Sequence, residues 1–385
     1  MKIAQIAPVF APGSSAMGRG IERIVVYLAD ELVARGHDVT LFGRGDLRTS
    51  ARLVSPYAES HQPGGDVADS WPHLMILLDH VQQRTSDFDL LHFHIDPLHF
   101  PVFRADACKT LTTLHGSLET SDLVPFYRHF NDMPLVSVAF AQRQGMPKVR
   151  WAGNVGYGLP RDHYRLSRAH HGYLALLGYL SPENHPRLAI EVARRSGVPL
   201  KIAATIDQGN RDFFEETVRP MLDNPIVEFV GEIRETDKAD FLGGALAAFC
   251  SIDQARPSGL AMIEAMACGT PLIAFRQGAT EEIVEPGITG LIVDTIDDAV
   301  DAVSAAGDLD RLRVRDRFES RFSIERMTDD YLLLYGLAQE QTNLGAPVQT
   351  AVPTDPAPHR PPTLKLRRGR TNRLYRRALY GQSAK

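Results

Sequence analysis

Short apolar runs that read as buried strands alternate with segments of helical period, and the alternation runs twice along the chain. In the first pass Lys2 to Val9 predicts a strand and APGSSAMGRG a glycine-bearing loop. IERIVVYLADELVARG then predicts a helix with Ile21, Ile24, Val25, Leu28 and Leu32 on one face, ended by Gly36. HDVTLFG is the next strand, which completes a β-loop-α-β unit of doubly wound type. DFDLLHFHID and ACKTLTTLHGS each predict a strand ending in polar residues, and SVAFAQRQ followed by VRWAGNVGYGLP repeats helix and strand. The second pass starts near Gly172 with YLALLGYL, continues through a loop and helix in SPENHPRLAIEVARRSG, and returns to strand in VPLKIAAT. IVEFVGEI, ALAAFCSI, PLIAF and GLIVD are its later strands, and IDDAVDAVSAAGD opens the terminal helices that end in RFSIERMTDDYLLLYGLAQE.

A chain with this pattern is α/β, with two Rossmann-like doubly wound domains facing a cleft. The glycine-rich stretch Gly153 to Pro160 marks the boundary, so the domains are expected at residues 1–165 and 166–340, the last helix packing back across the cleft. In open parallel sheets ligands bind beyond the carboxyl ends of the strands. His94, Asp96 and His115-Gly116 are therefore expected beside the cleft, which is the place left for function. Residues 341–385 change character: a proline-rich stretch expected to be disordered precedes a strongly basic tail, 364–385. That tail is either a solvated end or a contact for an acidic partner or an anionic membrane surface.

The bulk numbers exclude several classes. With 44% hydrophobic and 8% aromatic residues in 385, a core of normal size can form, and a net charge of −5 argues against general nucleic-acid binding. Cys108, Cys250 and Cys268 are scattered and lack metal-type spacing, which fits a reduced, cytoplasmic setting. The start MKIAQIAPVF lacks the pattern of a signal peptide, and no window approaches the roughly 18–20 apolar residues of a membrane span. A soluble protein is expected.

The stretch ARPSGLAMIEAMACGTPLIAF carries the chemistry. It predicts a loop, a short helix capped by Ser258 or Gly259, a stop at Gly269-Thr270-Pro271, and a buried strand. The first amides of such a helix are unpaired and lie at the positive end of its dipole, so its start can hold an anion. Arg256 stands just in front of it.

From Met1 to about Glu340 the chain resembles the retaining glycosyltransferases of family 4, which have the GT-B fold. The resemblance is carried by an ordered set: GRGIERIVVYLADELVARGHDVTLF, HFHID, TTLHG, LGYLSPEN, AIEVARR, VEFVGEI, RPSGLAMIEAMACGTPLIAF, EEIVEPGITGLIV and RFSIERMTDDYLLLY. It implies a nucleotide-sugar donor held mainly by the second domain, an acceptor held by the first, no cofactor and no obligatory metal. On this resemblance the amides near Ser258, Gly259 and Leu260 meet the donor phosphates and Glu264 holds the ribose hydroxyls. It likewise has His115 meet the donor sugar and the loop bearing Gly18 and Gly20 close near the phosphates. The GxG is a weak signal by itself.

Three positions depart from the family pattern. Arg256 stands where the first of two glutamates eight apart is expected, and Tyr179 and Asn184 replace the arginine and lysine that balance the diphosphate. One lost electrostatic contact of this kind costs about 10²–10³ in rate. Three readings are open. The donor site is rewired around Arg256, with His185 or Arg187 assisting and an acidic donor sugar as one consequence. The donor is a sugar 1-phosphate, as in phosphorolysis. Or catalysis is lost and the chain is a binding or partner protein.

Overall fold

The computed structural model describes residues 1–8, 16–55, 71–95, 97–116, 118, 122–250 and 259–344. Among the described residues thirteen strands form two all-parallel sheets. The first contains β1 (Lys2–Ile6), β2 (Asp38–Phe42), β3 (Arg52–Val54), β4 (Leu90–Phe93), β5 (Thr110–Leu114), β6 (Leu135–Ser137) and β7 (Trp151–Asn154). Its order is β3-β2-β1-β4-β5-β6-β7. The second contains β8 (Tyr173–Tyr179), β9 (Leu200–Thr205), β10 (Val227–Gly231), β11 (Ala245–Cys250), β12 (Leu272–Phe275) and β13 (Gly290–Val293), in the order β10-β9-β8-β11-β12-β13. In both, the order reverses direction beside the first strand of the sheet. That is the switch point at which doubly wound folds open a crevice at the strands' carboxyl ends.

Seven helices shape the cleft and its supports: α1 (Ala16–Ala34), α2 (Pro186–Ser196), α3 (Lys238–Gly243), α4 (Leu260–Ala267), α5 (Ile296–Gly307), α6 (Arg311–Arg321) and α7 (Ile324–Leu344). Helix α1 buries Ile24, Val25, Leu28 and Leu32, the stripe its periodicity predicts. Capping of α5 is also local: Thr295 Oγ1 accepts from the Asp298 amide and the Asp298 carboxylate accepts from the Thr295 amide, a complete capping box.

The last helix belongs with the first sheet. The chain crosses back where the Leu159 amide donates to the Phe322 carbonyl and the Ile324 amide to the Leu159 carbonyl. Gly158 makes this crossing possible, because a Cβ there would lie 2.4 Å from the Ser323 carbonyl oxygen. Beyond it Met327, Tyr331 and Tyr335 of α7 join one buried cluster with the α1 stripe and with Met262 and Ile263 of α4. Arg35, just past the end of α1, clamps α7 through the Asp329 carboxylate and the Glu325 carbonyl.

Two local expectations are corrected. SVAFAQRQ is not a helix: Ser137 ends β6, and Ala141–Arg143 makes a single 3₁₀ turn. Its backbone is satisfied by side chains, since the distant Glu282 accepts the Phe140 and Ala141 amides at 2.8 and 2.7 Å and the segment's own Gln142 side chain accepts from the Val138 amide. A continuing helical ladder is unnecessary there. The loop expected to carry Gly18 and Gly20 is already helix from Ala16 onward. Strand β3 has no counterpart among the expected strands, for its three residues carry no periodicity.

Candidate functional site

A cavity of about 510 Å³ lies between the two sheets. Its second-half wall is built from the carboxyl ends of β8 (Leu176–Tyr179), β9 (Ala203–Thr205) and β11 (Phe249, Cys250), the turn after β10 (Glu232–Glu235), and the start of α4. Gly20, Ile21, Arg23, His115 and Tyr157 face them from the first half. Of the residues singled out in the sequence, Gly20, His115, Tyr179, Asn184, Gly259, Leu260 and Glu264 thus line one space. Gly18 lies on the first turns of α1, while Arg256, Ser258 and Asp96 fall outside the described residues. The basic tail 364–385 lies outside them too.

The start of α4 depends on glycine. Gly259 has φ 53°, in the left-handed region, and a Cβ there would sit 2.1 Å from Ile283 Cδ1. Leu260 is the first helical residue, and across the cleft its side chain would lie 3.2 Å from a Cβ on Gly20. The starts of α1 and α4 therefore approach one another closely, which brings Arg23 across to the second half.

There the Glu264 carboxylate is buried and takes three donors on one oxygen. Arg23 Nη2, Lys238 Nζ (3.0 Å) and Tyr164 Oη (2.9 Å) all converge on Oε1, and Oε2 receives none of them. Burial by itself would raise the Glu264 carboxyl, but Lys238 and Arg23 outweigh it and hold the group below the usual carboxylate range. Glu235 joins the same cluster: its Oε2 meets Lys238 Nζ at 2.9 Å and pairs with Arg23 Nη1, and its Oε1 lies 2.8 Å from Tyr164 Oη. Arg23, Lys238, Glu235 and Tyr164 carry no motif signal in the sequence. On a helical wheel Arg23 falls opposite the apolar stripe of α1, so a local reading gives it to solvent.

Around His115 the first-half wall is polar without being charged. His115 Nδ1 contacts Tyr157 Oη at 2.8 Å and its Nε2 contacts His94 Nδ1 at 3.0 Å. His94 Nε2 meets Gln5 Oε1 (2.8 Å), Gln5 Nε2 donates to Tyr335 Oη (2.9 Å), and Tyr335 reaches His92 Nδ1 (2.7 Å). His92 Nε2 meets Thr113 Oγ1 at 2.8 Å, which meets Tyr331 Oη at 2.9 Å. Every ring in this string is buried. An amide oxygen only accepts, so His94 carries its proton on Nε2 and accepts on Nδ1. His115 then donates from Nε2 and accepts from Tyr157 on Nδ1. Burial pushes His115 down to about 3 and lowers His92 and His94 far below 6.5, so all three are neutral. With both ring nitrogens committed, His115 offers the cavity its ring edge and its backbone.

Tyr179 and Asn184 are tied to each other: Asn184 Nδ2 donates to the Tyr179 carbonyl at 2.7 Å. They stiffen the turn from β8 into α2 and bring no positive charge. His185, the next residue, is held at φ 43° immediately before Pro186, a conformation non-glycine residues rarely adopt.

Comparison with known proteins gives the class. The model described as "Glycosyltransferase Family 4" matches residues 18–151, and that described as "Glycosyl transferases group 1" matches residues 183–308. With one glycosyltransferase domain on each half and this pair of sheets, the chain is a glycosyltransferase of the GT-B class. It is similar to YtcC of Bacillus subtilis, a proposed glycosyltransferase, at 22% identity over 340 residues, or 77% of this chain and 80% of that one. A shorter match, 36% identical over 100 residues, is to the D-inositol 3-phosphate glycosyltransferase of Geodermatophilus obscurus; it spans 25% of this chain and 22% of that one. In fold it resembles sucrose-phosphate synthase from Thermosynechococcus elongatus, with TM-score 0.71, 17% identity, and 90% and 100% of the two chains covered. Anabaena HepE in complex with UDP and glucose superposes with TM-score 0.63 at 13% identity, covering 88% and 100%. No described helix is long and apolar enough to cross a membrane.

Proposed function

We propose that the protein transfers a sugar from a nucleotide-sugar donor to an acceptor with retention of configuration, the donor held by residues 166–340 and the acceptor by residues 1–165. The observation that carries this reading is the buried Glu264 beside the start of α4. One carboxylate oxygen is fixed by three donors, and the other, which receives none of these, can accept from ribose hydroxyls. The amides at Ser258, Gly259 and Leu260 would hold the donor phosphates at the positive end of the helix. In this reading Arg256 adds charge beside them, Gly18 and Gly20 let α1 approach, and His115 forms the wall against the donor sugar. The departing phosphate takes the acceptor's proton, so no pair of catalytic carboxylates is needed. That HepE is known in complex with UDP and glucose supports a donor of this kind.

The test is direct. The protein is incubated with neutral and acidic nucleotide sugars and with sugar 1-phosphates, nucleoside diphosphate release is measured, and the anomeric configuration of the product is read by proton NMR. Release of nucleoside diphosphate with retained configuration is expected, together with loss of activity in Arg256→Ala. Consumption of a sugar 1-phosphate alone, an inverted product, or no turnover of any donor would overturn the reading.

A further inference from the structure

The positions at which the family resemblance places two phosphate-balancing cations hold Tyr179 and Asn184, which bond to one another. Positive charge nevertheless reaches the cavity. Among its described lining residues the cations are Arg23, Lys238 and Arg234; Arg234 is paired with Asp237 and faces solvent. Arg23 and Lys238 point inward, and the two share a pair of carboxylates with very different freedom. The Glu264 side chain is 3% exposed and sits within α4, while that of Glu235 is 39% exposed and belongs to a single 3₁₀ turn, Glu235–Asp237, at the cavity rim.

We infer that Arg23 and Lys238 form the seat for the donor's diphosphate, and that Glu235 is a resident anion that occupies this seat until a diphosphate displaces it. The inference rests on the reading of the cavity as a nucleotide-sugar site. Three features carry it. One oxygen of Glu235 lies between Arg23 Nη1 and Lys238 Nζ, the arrangement a phosphate oxygen would take up between a guanidinium and an ammonium. Tyr164 has one hydroxyl proton for two carboxylates, Glu235 at 2.8 Å and Glu264 at 2.9 Å, so the cluster holds one acceptor more than it can satisfy. Finally, two cations and two carboxylates sum to zero, so departure of Glu235 leaves a net positive seat and frees the Tyr164 proton for Glu264. Because Glu235 can turn into water, its release costs little; Glu264 has no such exit and stays to fix Arg23 and Lys238 in place.

The experiment measures binding of uridine, guanosine and adenosine diphosphates to the full chain by calorimetry, each beside its own nucleoside. Glu235→Gln, which keeps the shape and removes the charge, is expected to bind the preferred diphosphate about three- to tenfold more tightly. Lys238→Met is expected to bind it at least about tenfold more weakly, with Lys238→Arg restoring most of the loss, the scale of one charge-assisted contact. Nucleoside affinity stays unchanged in all three. Weaker or unchanged diphosphate binding in Glu235→Gln would overturn the inference and leave the donor reading standing, and so would an equal loss of nucleoside and diphosphate in Lys238→Met. Failure of the unaltered protein to bind any nucleoside diphosphate would remove the donor reading, and the inference with it.

Discussion

The two walls of the cleft are both buried and both polar, yet they solve the problem of buried polarity in opposite ways. On the first half a string of side chains from Tyr157 through His115, His94, Gln5, Tyr335 and His92 to Thr113 and Tyr331 is uncharged and ordered donor-to-acceptor throughout. Against the second half, Lys238, Glu264 and Glu235 and the Arg23 that reaches them from α1 are all charged and cancel one another. A neutral string has little to exchange with an incoming ligand and fixes a surface. A charged cluster with one mobile member can trade that member for another anion. On the proposed reading, the neutral wall is the fixed face and the charged cluster is where a charged ligand enters.

The contrast breaks most visibly if the charges no longer balance. Glu264→Leu leaves Arg23 and Lys238 to share Glu235 alone, with one positive charge uncompensated, and should lower unfolding free energy by about 3–5 kcal/mol in urea titrations. A loss under about 1 kcal/mol would mean the cluster is solvated and the comparison is wrong. The neutral wall should respond to pH instead. Its histidines have folded-state values lowered far below 6.5, so the unfolded chain binds protons that the folded chain refuses as pH falls beneath that value. Stability is thus full above the unfolded value and declines below it. Between pH 7.5 and 5.5 each of the three histidines should contribute a loss of about 1.4 kcal/mol, about 4 kcal/mol together. A urea midpoint that stays flat over that range would show the string to be protonated or open. The smallest effect is expected from Tyr335→Phe. It removes one hydroxyl from the middle of the string and leaves Gln5 Nε2 and His92 Nδ1 without their partner, a loss of about 1–3 kcal/mol. No change would mean that water takes the hydroxyl's place.

Much of the fold is legible in the sequence. The period of α1, the strands β1, β2, β4, β5 and all six of the second sheet, and the return of α7 stand there as apolar patterning. Glu264, Gly259 and Leu260 are legible too, because they sit in one contiguous stretch. Arg23, Tyr164 and the pair Glu235 and Lys238 are not, since they lie on three separate segments that meet only in the folded chain. The SVAFAQRQ segment misleads for a related reason: the amides around its single turn are taken by Glu282, a distant group that a local reading does not weigh.

The sequence by itself therefore determined two parallel sheets with a cleft between them and a glycine-led helix aimed into it. These arise from period, propensity and turn chemistry, which act over a few residues. Only the tertiary structure decided which charges meet in the cleft, which carboxylate is buried and which reaches solvent, and that His115 spends both ring nitrogens inside the protein. Electrostatics and desolvation depend on distance and burial in three dimensions, and residues 23, 235, 238 and 264 acquire theirs only after folding.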